Sequence, residues 1–409
     1  MLSEEIKDTG RGSRLPILAV ILALASLAFP RIALFEYQGQ LIFPHYVVLL
    51  LALPLIVAVQ PRALKYSLVP LLFILLSSFV NIRDFSAEIA LFHGLHFIAI
   101  AILSNCPVSI ALRAAKLILL IYVASILVAQ LMSFLGLQSL IDWLLVQKEG
   151  LSNTRVSGFA TEPSYAAMIM LILGRFVLVL DPHWMTSRRL ALILAAMVGT
   201  LSLFALISAI LLLALFVAKS GHMRTVVGVL IGGIALLLVV SLTDFFANRL
   251  GSLDLSAGAM GLGSGTIRLL PYIYLGEILP DDPLPLLWGG GAGQLEPQFF
   301  YALGMYHTNN DALPTHMASA IYDYGLPMIL WMFLSWNKAS NTMDKFLYFM
   351  AFIVIFMNTG IGTYLFIIFG TFALIEKRWR EREVRLPRYS GVTPNPVALA
   401  EPIYSGRIR

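Results

Sequence analysis

The feature that most constrains this chain is a series of apolar runs, each long enough to cross a lipid bilayer. A membrane-spanning helix needs roughly 20 mostly apolar residues. We locate such runs at about 15–33, 45–60, 64–80, 87–103, 113–135, 163–180, 189–219, 225–243, 314–336 and 345–376. The sequence therefore predicts an all-α polytopic membrane protein.

The composition agrees with this interpretation. Of the 409 residues, 59% are hydrophobic and 12% are charged, whereas a soluble domain has roughly 45–50% apolar and about 25% charged residues. These values exclude a water-soluble globule and a disordered chain, and the single cysteine, Cys106, excludes a disulfide scaffold. We attribute the net charge of +5 to basic loops on the cytoplasmic side of a membrane, and we expect no nucleic-acid partner.

Two of the apolar runs are too long for one helix, and each contains a polar break. The run 189–219 is interrupted at Gly199-Thr200-Leu201-Ser202, and the run 345–376 is interrupted at Asn358-Thr359-Gly360. We expect each run to fold as two short helices that meet at the membrane edge. The total is then about 12 transmembrane helices.

The distribution of basic residues predicts the sidedness of these spans. If the N-terminus is cytoplasmic, 21 of the 28 lysines and arginines fall on the cytoplasmic side, six fall outside, and Arg175 lies within a span. This arrangement requires an even number of spans. We therefore expect an integral membrane domain over 1–376 and a basic, mostly disordered cytoplasmic tail over 377–409.

Two outward loops, 136–163 and 244–313, are longer than connection alone requires, which is typical of functional loops. The first ends at the start of a span, where Thr161 is a candidate N-cap and Pro163 suits the first turn. A helix N-terminus attracts anions, and Arg155 nearby could clamp a phosphate. Glu162 either takes part in this chemistry or simply complements the helix dipole and pairs with Arg155.

The second loop is rich in glycine and contains several candidate polar groups. His307 and His316 lie where it returns to the membrane, and each is either a general base or a solvated interfacial histidine. We expect Asp281-Asp282 to form a solvated turn, although a divalent ion is an alternative. The spacing of the histidines fits no common zinc pattern.

The remaining polar residues near spans have simpler interpretations. We expect His93 and His96 to be structural. Arg175 lies within the sixth span, where a charge is a functional hypothesis by default. We prefer the alternative that its long side chain extends to the cytoplasmic surface.

Two segments of the sequence carry a specific pattern. The first is Arg155-Val-Ser-Gly-Phe-Ala-Thr-Glu-Pro-Ser164. The second begins with Arg268, continues through a proline-leucine block that ends in glycines (Pro285 to Gly291), and reaches Tyr322-Asp-Tyr-Gly-Leu-Pro327 before a span. Both resemble segments of the bacterial O-antigen and exopolysaccharide polymerases of the Wzy type, and the first is similar to that family's R-x-x-G-x-x-x-E-P-S segment. The resemblance covers roughly residues 113–375.

The resemblance implies a GT-C-like glycosyltransferase of the bacterial inner membrane that acts at its periplasmic face. Its substrates would be undecaprenyl-diphosphate-linked glycans, and its partners could include a chain-length regulator and a flippase. It implies no metal and no other cofactor. By position, Arg155 and Arg268, with Arg249 as a further cation, would bind the diphosphate, and Glu162 would be the acidic residue of its segment.

The general base stays open among three residues. The family's His-Asn pair has no clean match, because Thr308 separates His307 from Asn309 and His316 is followed by Met317. The candidates are therefore His316, His307 and Glu162.

Two other functions stay open. One is an O-antigen ligase of the same superfamily, which transfers glycan to lipid A-core. The other, from a different class, is a transporter of polysaccharide or lipid-linked sugar, which the number of spans would suit. The absence of an obvious internal repeat and the polar residues gathered in outer loops favour the enzyme.

Overall fold

The computed structural model describes residues 23–24, 26–27, 35–37, 40–42, 65–137, 159–160, 162–219, 223–241, 264–295, 317–337, 342–361 and 363–385. Within these residues the chain is predominantly helical. The helices are α1 (Lys65–Val80), α2 (Ala87–Leu103), α3 (Val108–Phe134), α4 (Pro163–Leu180), α5 (Ser187–Gly199), α6 (Leu203–Lys219), α7 (Met223–Ser241), α8 (Ser264–Ile278), α9 (Leu284–Trp288), α10 (Met317–Tyr324), α11 (Leu326–Trp336), α12 (Thr342–Asn358) and α13 (Tyr364–Arg385). The helical class is thus confirmed.

One small antiparallel hairpin departs from the all-α prediction. Strands β1 (Phe35–Tyr37) and β2 (Gln40–Ile42) pair with Phe35 opposite Ile42. The sequence between them is Gln38-Gly39, and a two-residue connection with glycine is typical of hairpins. The hairpin lies between the first two predicted spans, where an apolar-run analysis has no signal for strands.

Several helices have the composition expected of membrane spans. Among the described residues, α3 and α4 are long and apolar enough to cross a bilayer, and α10 with α11 would make a third span if the bent pair is counted as one. Shorter apolar helices occupy Tyr66–Val80, Ala87–Leu103, Leu203–Lys219 and Arg224–Val239. These helices are compatible with a membrane protein, and the number of about 12 spans stays a prediction.

Helix α4 forms the centre of the helix packing. All of its residues are buried, and it contacts α3, α5, α6, α12 and α13. A helix that is apolar around most of its surface is stable only when neighbouring helices or lipid surround it. It starts at Pro163, and it ends before Asp181, which pairs with Lys116 of α3 at 2.5 Å.

Both predicted breaks within long apolar runs are confirmed as helix breaks. Helix α5 ends at Gly199 and α6 begins at Leu203. Gly199 packs so closely on Gln130 of α3 that a Cβ atom would overlap the amide. Helix α12 ends at Asn358, and the next residue, Thr359, donates its hydroxyl to the carbonyl of Ile355 at 2.7 Å.

The predicted span 314–336 is not one continuous helix, as the sequence led us to expect, but a bent pair of helices. Helices α10 and α11 meet at Gly325 with a bend of 116°. Gly325 has φ +87°, a conformation that favours glycine, and a Cβ there would lie 2.8 Å from the carbonyl oxygen of Leu287. Pro327 suits the first turn of α11, so the helix restarts at once.

Candidate functional site around the glycine-rich loop

The glycine-rich loop, residues 289–295, is held by the side chain of Asp323 in α10. One carboxylate oxygen accepts the backbone N–H of Gly293 at 2.9 Å, and the other accepts those of Gln294 and Leu295 at 3.2 and 3.3 Å. Asp323 is only 3% exposed. Hydrogen bonds to an ionised group are stronger than neutral ones, so this carboxylate fixes the shape of the loop.

Helix α1 holds the other side of the same loop. The Ser77 hydroxyl donates to the backbone carbonyl of Asp323 and accepts the N–H of Gly291 at 3.1 Å. The Asn81 amide donates to the carbonyl of Gly289 at 3.0 Å. The loop therefore lies between the end of α1 and the end of α10.

Glycine is required in this loop because the surrounding backbone leaves no room for side chains. Gly289 has φ +83°, and a Cβ there would overlap the carbonyl oxygen of Asp323. Gly290 donates its N–H to the carbonyl of Tyr322 at 2.6 Å, and a Cβ at Gly290 would lie 2.5 Å from the Tyr322 ring. The close approach of two backbones explains the run of three glycines.

The neighbouring tyrosine of α10 binds a third helix. The Tyr324 hydroxyl and His93 Nδ1 of α2 lie 2.6 Å apart, and both side chains are buried. The nearby His96 contacts the backbone carbonyl of Phe92 at 2.8 Å. Both histidines are buried in the helix packing, which is compatible with the structural role expected from the sequence.

An open pocket of about 380 Å³ lies beside the loop. Its walls come from the end of α1, the following turn, α9, the loop and α10. They combine two carboxylates, two amides and two aromatic rings with apolar residues: Val80, Asn81, Asp84, Asp282, Leu284, Pro285, Trp288, Gly289, Gly290, Gln294 and Tyr322.

Helix α8 packs against α10 and the loop. Leu275 of α8 forms a small apolar cluster with Leu295, Ala318 and Tyr322. Burial in this region raises the pKa of Tyr272 above its ordinary value. Arg268 lies in α8, four residues before Tyr272, and its side chain is outside the described part.

Four of the predicted site residues, Arg155, Arg249, His307 and His316, lie outside the described residues. Glu162 is described and is the N-cap of α4, with extended backbone angles, and its carboxylate accepts the Ser164 hydroxyl at 3.4 Å. The cap is one residue later than the predicted Thr161. The reason is that Pro163 takes the first helical position and favours extended backbone in the residue before it.

Arg175 forms a buried ion pair. The prediction that its side chain extends to the cytoplasmic surface is therefore wrong. Its guanidinium donates two hydrogen bonds to Glu376 of α13, at 2.5 and 3.0 Å. The Tyr348 ring covers it at 4.6 Å, and Glu376 also accepts a bond from Arg380 at 3.0 Å. Arg380 in turn pairs with Asp344 at 2.8 Å.

The remaining candidate groups show no reactive arrangement. Asp281 and Asp282 are exposed, and Asp282 accepts the N–H of Leu284 at 3.2 Å, as expected for a turn. Among the described residues, no three metal-ligating side chains gather. Burial raises the pKa of the Cys106 thiol, which lies between α2 and α3, to about 12, so this thiol stays protonated.

Comparison of the chain with protein-family models, with curated proteins and with solved structures gives no match.

Sequence reasoning missed three residues of this site. Asp323 lies within the segment Tyr322 to Pro327, so a sequence pattern marked its position but not its role. Ser77 and Asn81 belong to no such pattern, because they are ordinary polar residues near the end of an apolar helix. Their contacts with the loop span more than 200 residues of sequence.

Proposed function

We propose that this protein is a membrane-embedded glycosyltransferase of the Wzy type, which polymerises lipid-diphosphate-linked repeat units at the outer face of the membrane. The observation that carries the proposal is a contact between two parts of the second resembling segment. Asp323, in the part from Tyr322 to Pro327, binds the N–H groups of Gly293, Gln294 and Leu295, just after the proline-leucine block. These two parts of the segment therefore act as one structural unit.

The contacts also support the sidedness behind the proposal. Asn81 and Gly289, both assigned to the outer side by the count of basic residues, are hydrogen bonded. Lys116 and Asp181, both assigned to the cytoplasmic side, form an ion pair. Contacts between loops assigned to opposite sides would count against the assignment.

The required chemistry suits the predicted residues. The acceptor hydroxyl oxygen forms a bond to the anomeric carbon of the growing glycan while the bond from that carbon to the lipid diphosphate breaks, and the anomeric centre inverts. The leaving diphosphate is already ionised, so it needs cations, for which Arg155, Arg249 and Arg268 are the candidates. The hydroxyl proton passes to a base, which is His307, His316 or Glu162.

A transporter is the second candidate, and the bend of 116° between α10 and α11 favours it, because transporters use broken helices. A transporter also needs polar groups that face a central cavity. Arg175, which the sequence places within a span, is paired with Glu376. The ion pair therefore favours the enzyme.

The proposal is tested in cells that lack the chromosomal copy of this gene. Wild-type protein should restore long glycan chains, and Arg155→Ala or Arg268→Ala should leave single repeat units with the protein still inserted. Arg224→Ala, an exposed arginine of α7 on the assigned cytoplasmic side, is the control and should be fully active. Full-length polymer from either arginine variant would contradict the diphosphate assignment.

The base is identified in the same cells. Among His307→Ala, His316→Ala and Glu162→Gln, one variant should be inactive and the others partly active. Wild-type chain lengths from all three would exclude every candidate.

A further inference from the structure

We propose that the pocket beside the glycine-rich loop is a subsite for a neutral or amino-bearing sugar ring. As an acceptor subsite it rests on the proposed function, whereas the binding of free glycan does not. The pocket lies where the loop, the turn after α1 and the short helix α9 meet.

The pocket is preformed, because its walls are held by hydrogen bonds that need no ligand. Gly289 and Gly290 line it, and their backbones are fixed by Asn81 and Tyr322. A fixed wall reduces the ordering cost of binding. The volume of about 380 Å³ falls in the ~300–1,000 Å³ range of small-molecule sites.

The lining combines a flat aromatic surface with polar groups, which is the combination that a sugar ring needs. Trp288 is 52% exposed although it is a large apolar side chain. Its ring offers a surface for the apolar face of a sugar. Asp84, Asp282 and Gln294 offer hydrogen-bonding groups for the hydroxyls at the ring edge.

The negative charge of the described lining residues disfavours the phosphate end of the substrate in this pocket. The lining contains two carboxylates, Asp84 and Asp282, and none of its described residues is basic. Carboxylates accept hydrogen bonds from hydroxyl and ammonium groups and repel uronates and phosphates. The pocket therefore takes the sugar and leaves the diphosphate to the arginines.

The test uses the full chain in lipid nanodiscs and free oligosaccharide released by mild acid from the host's lipid-linked repeat units. Binding is followed by tryptophan fluorescence and by calorimetry. Because the chain has six tryptophans, the signal of Trp288 is obtained as the difference from Trp288→Phe, with Trp184→Phe as the control. We expect a saturable change in tryptophan fluorescence on addition of oligosaccharide. Trp288→Phe should abolish this change, and Trp184→Phe should retain it.

Asp282 has a matched control in its own turn, the exposed Asp281. Asp84→Asn and Asp282→Asn should each weaken binding about tenfold, the effect of one good polar contact. Asp281→Asn should bind as wild type, because Asp281 is exposed beside the pocket but does not line it. The same oligosaccharide oxidised to a uronate should bind more weakly to wild type and regain affinity for the double variant Asp84→Asn, Asp282→Asn.

Three results would overturn the subsite. One is binding that is unchanged in Asp84→Asn, Asp282→Asn and Trp288→Phe. Another is equal affinity for the neutral and the uronate glycan. The third is Trp288 fluorescence that responds to lipid composition and not to glycan, which would make Trp288 an anchor at the membrane interface.

The failure of the subsite and the failure of the proposed function give different results. Polymer synthesis at the wild-type rate by Trp288→Phe and Asp282→Asn, together with no binding of free glycan, removes the subsite alone. Pocket-dependent binding of free glycan by a protein that makes no polymer removes the function alone.

Discussion

The carboxylate of Asp323 accepts a hydrogen bond from the backbone N–H of Gly293 at 2.9 Å, across 30 positions of sequence. The same carboxylate also binds the next two N–H groups of the loop. A loop rich in glycine has high conformational entropy when it is free. The buried charge of Asp323 holds it in one shape and so forms one wall of the pocket.

Asp323→Asn should therefore release the loop. The amide oxygen of asparagine can replace one carboxylate oxygen, but its NH₂ group would face a backbone N–H that loses its acceptor. We expect a loss of about 1–3 kcal/mol, the usual cost of an unsatisfied buried donor, with faster proteolysis in the loop. The measurement is thermal unfolding in detergent with limited proteolysis, and Asp281→Asn is the control. Equal melting and cleavage of both variants would contradict the role of Asp323.

Gly289→Ala should be strongly destabilising, whereas Gly276→Ala should be neutral or stabilising. Gly289 has φ +83° and faces the carbonyl of Asp323, so the methyl group meets both backbone strain and overlap. Gly276 lies within α8 with open space around it, and alanine is favoured over glycine in a helix by about 1 kcal/mol. The measurement is the melting temperature of each variant in detergent, compared with that of the wild-type protein. A Gly289→Ala protein as stable as Gly276→Ala would be inconsistent with the close approach of loop and α10.

The buried pair of Arg175 and Glu376 should show strong coupling. Glu376→Gln leaves Arg175 buried without its carboxylate partner, which costs about 3–5 kcal/mol. Arg175→Met should cost less, because Glu376 keeps its hydrogen bonds to Arg380. The double variant removes both charges and should lose much less than the sum of the two single losses. Unfolding of all four proteins in detergent gives the coupling energy. Additive losses would mean that the two charges do not interact.

Chelation of metal ions should leave polymer synthesis unchanged. The proposed chemistry neutralises the diphosphate with arginines, and Asp282 is already engaged with the backbone of its own turn. The measurement is polymer synthesis by purified protein with and without EDTA. Activity that falls with EDTA and returns with magnesium would instead make Asp281 and Asp282 ligands of an ion.

Much of the helical organisation could be predicted from the sequence. The breaks after Gly199 and Asn358 were predictable because small and polar residues interrupt apolar runs there. The start of α4 was predictable to within one residue, because proline is favoured in the first helical turn.

The bend at Gly325 and the hairpin at Phe35 were not predictable by the same means. Hydropathy averages over many residues, so one glycine before Leu326 and Pro327 does not interrupt an apolar run. Three-residue strands are too short to show the alternation of apolar and polar residues that marks a strand in a sequence.

The candidate site was predictable only as separate pieces. The glycine block and the segment from Tyr322 each carry a local pattern. Their contact depends on a buried carboxylate and on Ser77, more than 200 residues away. No local pattern records such a pairing, because it arises from helix packing.

The most direct test of the central claim is reconstitution of the purified protein in lipid with an undecaprenyl-diphosphate-linked repeat unit from its host. The products are separated by gel and identified by mass. The proposed function predicts a ladder of lipid-linked oligomers without any further acceptor. Transfer that occurs only when lipid A-core is added would identify a ligase, and movement of the lipid across the bilayer without any new glycosidic bond would contradict the enzyme altogether.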